Sequence, residues 1–79
     1  MRVEIITPDE VLFEGEAKLV QLPGTGGSFE LLNLHAPIIS TLRSGNIRVV
    51  EMSGETTQVT IASGVVEMQS NKVVILVEK

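Results

Sequence analysis

Apolar and polar positions alternate along most of this 79-residue chain, with the two-residue period of half-buried strands rather than the 3.6-residue period of helices. Arg2 to Thr7 reads as a first strand, stopped by Pro8-Asp9, a pair that favours turns. Val11 to Phe13 forms a short strand and Glu16 to Leu22 a longer one, with Gly15 marking a bend or bulge between them. Pro23 to Gly27 holds three glycines and a proline, so a turn is predicted there. Ser28 to Leu32 returns as a strand, and Asn33 to Ala36 is a loop closed by Pro37.

In the second half, Ile38, Ser40 and Leu42 alternate with Ile39, Thr41 and Arg43. Ser44-Gly45-Asn46 turns the chain into a strand over Ile47 to Met52, and Ser53-Gly54 closes a tight hairpin into Thr56 to Ala62. Val65 to Gln69 continues after Gly64, and Asn71-Lys72 turns into Val73 to Val77. That last run is wholly apolar, the pattern of a strand covered on both faces. Eight to ten short strands with turn signals between them predict an all-β domain, a small β-sandwich or flattened barrel, spanning residues 1–79. A double layer or closed sheet also limits the unpaired edges that so many strands would expose.

Composition narrows the function classes. The chain has no cysteine, so neither a disulfide nor a thiolate metal site supports the fold. A chain this short is near the lower limit for one self-sufficient core, which favours a subunit packed on a larger partner over a free enzyme. The net charge is −4 and the six basic residues form no stripe, which argues against nucleic-acid binding and against a basic membrane-surface helix. No apolar run approaches the roughly 20 residues needed to span a bilayer, and Met1-Arg2-Val3 opens a strand, not a signal peptide. The chain is expected to be soluble.

Candidate chemistry is sparse. His35 is the only histidine; it has no orienting acid nearby in sequence for a serine triad and no companions for zinc. It reads either as a loop residue that packs locally or as a contact to a neighbour. Gly24-Thr25-Gly26-Gly27-Ser28 is Gly-rich like a phosphate loop, but no Lys-Ser/Thr follows it and Phe29-Glu30 brings a repelling charge. A dinucleotide fingerprint fails because Phe29 takes the third glycine position. Glu4, Glu14, Glu16, Glu51 and Glu67 alternate with apolar neighbours, as on solvated strand faces. No catalytic residue, cofactor site or metal site is expected.

Three ordered segments carry a resemblance. Val3-Glu4-Ile5-Ile6-Thr7-Pro8 with Leu12-Phe13-Glu14-Gly15-Glu16 comes first, and Leu22-Pro23-Gly24-Thr25-Gly26-Gly27-Ser28-Phe29 through His35-Ala36-Pro37 second. Ser63-Gly64-Val65-Val66-Glu67-Met68 with Asn71-Lys72-Val73 is the third. Together they resemble the N-terminal β-sandwich domain of the epsilon subunit of the rotary F-type ATP synthase (called delta in mitochondria). The chain departs from that family where Asn33-Leu34 replace the usual Pro-Gly before the histidine, at Glu30 after the aromatic, and at Ala62-Ser63-Gly64 in place of Ser-Gly-Gly.

The resemblance implies a non-catalytic rotor subunit of the central stalk. It would help couple proton-driven c-ring rotation to ATP synthesis by clamping the gamma subunit to the c-ring. By correspondence, Thr7, His35, Ile38 and Leu42 would contact gamma, and Gly24, Thr25, Gly26, Gly27, Ser28 and Phe29 would contact the c-ring. The membrane would be met only through the complex, at the cytoplasmic face of a bacterial inner membrane or at an organellar one. Family members commonly continue into a C-terminal helical hairpin that inhibits ATP hydrolysis; with the sequence ending at Glu78-Lys79, neither such inhibition nor a nucleotide site is expected. The competing reading is a free-standing acidic β-sandwich that binds a protein or a carbohydrate. A chain without Trp or Tyr is poorly supplied for stacking on sugars, and a small acid-dependent hydrolase is weaker still.

Overall fold

Alternating aliphatic residues and the turns between them divide residues 1–79, all described by the computed structural model, into eight strands. These are β1 (Arg2–Ile6), β2 (Val11–Gly24), β3 (Gly27–Leu32), β4 (Ile38–Leu42), β5 (Gly45–Glu51), β6 (Thr56–Ile61), β7 (Ser63–Gln69) and β8 (Lys72–Glu78). There is no helix, hence none long and apolar enough to cross a membrane. The expected all-β sandwich is what forms.

Strand β2 organises the two layers. Its first half pairs antiparallel with β1; its second half pairs with β3 on one edge and β5 on the other. At its end Gly24 meets Leu42 of β4. Strand β1 also runs parallel to β8, and β8-β7-β4 continue antiparallel. Five strands thereby close a ring, β2-β1-β8-β7-β4, while β3, the second half of β2, β5 and β6 make the other layer. Sixteen buried apolar residues fill the space between, among them Val3, Ile5, Val20, Leu31, Leu42, Ile47, Ile61, Val66 and Ile75. Every strand contributes, and no polar or charged side chain is buried with them.

The sequence divides β2 where the structure does not. Gly15 lies inside it, paired with Val3 of β1, because β1 supplies the ladder partner and the Phe13 ring covers the missing side chain, 3.5 Å from where a Cβ would be. The register shift falls three residues later, between Ala17 and Leu19. Fourteen residues of straight strand would span about 46 Å, yet the longest dimension of the molecule is 26 Å. The strand is therefore strongly bent, and the irregularity at Lys18 sits where it passes from one layer to the other.

One turn is tighter than expected and another is shifted by one residue. Pro23 and Gly24 belong to β2, since Pro23 has no N–H to satisfy and its carbonyl accepts the Arg43 N–H at 2.9 Å; only Thr25-Gly26 are left between β2 and β3. The β7–β8 turn is Ser70-Asn71, not Asn71-Lys72, with φ of 52° and 58°. Both central residues are left-handed, as a two-residue hairpin with strand-matching twist requires.

The run Val73 to Val77 is not covered on both faces. Val73, Ile75 and Val77 point into the core, while Val74 is half-buried and Leu76 is 53% exposed, because the second layer covers only one side of this sheet. Ile75→Ala should therefore cost about 2–5 kcal/mol of a total of about 5–15 kcal/mol. Leu76→Ala should change stability by no more than about 0.5 kcal/mol. Denaturant midpoints of the two variants check this; equal losses would mean that Leu76 is covered after all.

Candidate interaction surfaces

The Gly-rich tip is built by close backbone approach. Gly24 faces Gly27 across a two-residue loop, and a Cβ on Gly24 would lie 2.6 Å from the Gly27 carbonyl oxygen and 2.7 Å from the Phe29 ring. Glycine is thus required for room at position 24 and, with φ of +130°, for conformation at position 27. Thr25 fastens the tip to β4: its N–H donates to the Thr41 carbonyl at 3.1 Å, and the two threonine hydroxyls are 2.9 Å apart. Thr25, Gly26, Gly27 and Ser28 are exposed, while Gly24 is buried and Phe29 packs half-buried against the core. Of the six tip residues expected to meet a ring, four therefore point outward and two support them.

The other four expected contact residues do not form one cluster. Leu42 lies in the core, 3% exposed, so its side chain holds the sandwich together and does not reach an outside surface. Ile38 is half-buried against the core. Thr7 directly follows β1, where its hydroxyl accepts the N–H groups of Asp9 and Glu10 at 3.1 and 3.0 Å and caps the Pro8 turn. His35 is exposed, its Nδ1 donating to the adjacent Ala36 carbonyl at 2.7 Å. Ile6 aligns through Leu76 and Val65 with Thr41, whereas Ile38 aligns with Met68 at the opposite end of the same sheet. Thr7 and His35 accordingly lie at opposite ends of the β1-β8-β7-β4 layer.

Between them runs a surface that sequence patterning missed. Ile6, Leu76 and Val65 follow one another across the outer face of that layer; in the next row Val74 and Ile39 alternate with Glu4 and Glu67. Ile39 is 72% exposed and Val65 41%. At the Thr7 end, Ile6, Thr7, Pro8, Thr41, Val65 and Leu76 border an open groove of about 770 Å³. The only signal for this face was the unbroken apolar run of β8, half of which has to point outward when only one side is covered.

The loop before β4 is held in an unusual conformation. Leu34 has φ of 64°, a left-handed backbone that costs a residue with a bulky side chain about 1–2 kcal/mol. Hydrogen bonds hold it there: the Leu34 N–H donates to Asn71 Oδ1 at 2.8 Å and the His35 N–H to the Leu32 carbonyl at 3.1 Å. Asn33 Oδ1 in turn accepts from the amino nitrogen of Met1. The Leu34 side chain itself is 83% exposed. No set of three or more His, Asp or Glu side chains converges anywhere.

Comparison with known proteins bears on the family and the fold. Residues 1–79 match the family described as ATP synthase, Delta/Epsilon chain, beta-sandwich domain. An ATP synthase epsilon chain of Bordetella petrii is 35% identical over 78 residues, which cover 99% of this chain and 55% of that relative. The chain thus spans about half the length of the curated relative it matches. Among solved structures, the central stalk and c-ring of the Tetrahymena thermophila mitochondrial ATP synthase contains a chain with a TM-score of 0.81 at 19% identity, covering 100% of this chain and 63% of that one. A chain in the OSCP/F1/c-ring structure of the Euglena gracilis mitochondrial ATP synthase gives 0.86 at 18%, covering 98% and 49%. At those identities the likeness is one of fold.

Asn71→Gly keeps the turn conformation and removes only the side-chain acceptor of the Leu34 N–H. It should lower stability by about 1 kcal/mol and speed hydrogen exchange at the Leu34 amide; unchanged exchange would contradict the described anchoring. Gly24→Ala should cost about 1–3 kcal/mol through overpacking against Gly27 and Phe29, read from its thermal midpoint.

Proposed function

We propose a mechanical role for this chain from the premise that it belongs to the ATP synthase delta/epsilon-chain β-sandwich family, whose pattern it matches from residue 1 to residue 79. It is a non-catalytic component of the central stalk that clamps the gamma subunit to the c-ring, so that proton-driven rotation of the ring reaches the catalytic subunits. The observation that carries this reading is the family match over the whole chain. An exposed hairpin tip fastened to the sandwich at Thr25 and Thr41 suits it.

The tip, Thr25 to Ser28, is the c-ring contact, with Gly24 and Phe29 behind it. Thr7, His35 and Ile38, joined by the outer face of β1-β8-β7-β4 with its exposed Ile39, Val65 and Leu76, are the gamma contact; Leu42 supports that sheet from inside. The chain meets the membrane through the ring, at the cytoplasmic face of a bacterial inner membrane. A carbohydrate-binding module is less well supported, because Phe13 and Phe29 both pack against the core and leave no aromatic ring free to stack on a sugar.

Energetics favour broad contacts over a single hinge. Each charge moved across 100 mV releases about 2.3 kcal/mol, and several together equal the whole stability of about 5–15 kcal/mol expected for a small domain. A sandwich of 79 residues bears such a load only when partners support it on more than one side. The threonine pair beneath the tip and the apolar face behind it fit that requirement.

Mixing the chain with purified gamma subunit of its host at micromolar concentration should give a one-to-one complex in size-exclusion chromatography; two separate peaks would refute the reading. In the assembled synthase, Gly26→Glu should leave gamma binding intact and more than halve ATP synthesis driven by a proton gradient. Synthesis at the unaltered rate would remove the tip from the c-ring contact.

A further inference from the structure

Leu34 combines two properties that conflict unless something outside the chain uses its side chain. Its backbone is left-handed, with φ of 64°, a region that glycine and asparagine occupy readily and bulky residues rarely. Its side chain, 83% exposed, gains nothing within the domain to offset that strain. The two hydrogen bonds that hold the loop come from the Leu34 and His35 N–H groups, which any residue but proline would supply. Strain that the surrounding structure enforces without benefit to the fold is characteristic of functional positions.

We propose that Leu34 is a hydrophobic anchor that inserts into an apolar pocket of the gamma subunit, an inference that rests on the stalk reading above. The direction follows from the topology. The tip is tied to Thr41 at one end of β4, while the loop leads into Ile38 at the other, a strand length of about 13 Å away. With the tip on the c-ring, the loop faces the other stalk partner. Asn71 and the Ser70-Asn71 turn hold Leu34 in position before binding, so little further ordering of the loop is needed when the partner arrives. His35 follows it directly and extends the same contact.

Three variants of the full chain test this: Leu34→Asn, Leu34→Gly and Leu34→Met. Leu34→Asn accepts the left-handed backbone and should raise the thermal midpoint by about 4 °C while weakening binding to purified gamma about tenfold or more. Leu34→Gly should weaken binding equally; Leu34→Met, which keeps an apolar side chain, should retain most of it. Wild-type affinity in the Asn and Gly variants would overturn the anchor and leave the stalk reading standing. A wild-type chain that does not bind gamma at all would overturn both. Self-association of the wild type that disappears in Leu34→Asn, with gamma binding unchanged, would reassign the loop to a contact between copies and so overturn the proposal.

Discussion

One bent strand carries the construction of this domain. β2 hydrogen-bonds to β1, β3, β4 and β5, and both layers are attached to it. Because it crosses from one layer to the other, the two sheets are joined by continuous backbone as well as by packing. A core of aliphatic side chains with only two phenylalanines in the whole chain gains from that continuity. Its layers cannot slide past one another without breaking the ladders along β2. That resistance to shear suits the mechanical role proposed for the chain.

The same strand positions the outward-facing features. Its last residue, Gly24, starts the exposed tip and also touches Leu42 at the end of β4, so the tip is tied to the ring of strands. At the other end of β4, the loop carrying Leu34 and His35 is held by the β7–β8 turn through Asn71. The outer face between them is apolar at Leu76, Val65 and Ile39. Two exposed features at opposite ends of one sheet, with a partly apolar surface between, suit the proposed bridging of two partners.

Much of this was readable in the sequence, for reasons that differ by element. Alternation at Ile47 to Glu51 and at Thr56 to Ile61 marks half-buried strands, because one face meets the core and the other meets water. Continuity through Gly15 and Pro23 was not readable: both residues punctuate a chain locally, and only their partners, Val3 for Gly15 and Arg43 for Pro23, restore the strand. The Val73 to Val77 run hid an outward apolar face, since composition cannot show on which sides a strand is covered. Among the expected contact residues, Leu42 went inward by its register on β4, whereas His35 stayed outside on its loop. The left-handed Leu34 gives no signal in its own residue type; the sole hint was that it stands where related sequences usually have glycine.

The central claim is that this chain acts by joining two moving parts, with no chemistry of its own. The most direct measurement is ATP-driven proton pumping by the host's synthase in sealed vesicles, assembled with and without the chain. With it, ATP hydrolysis should acidify the vesicle lumen; without it, hydrolysis should continue while pumping falls to near background. Equal pumping per ATP hydrolysed in both preparations would contradict the account.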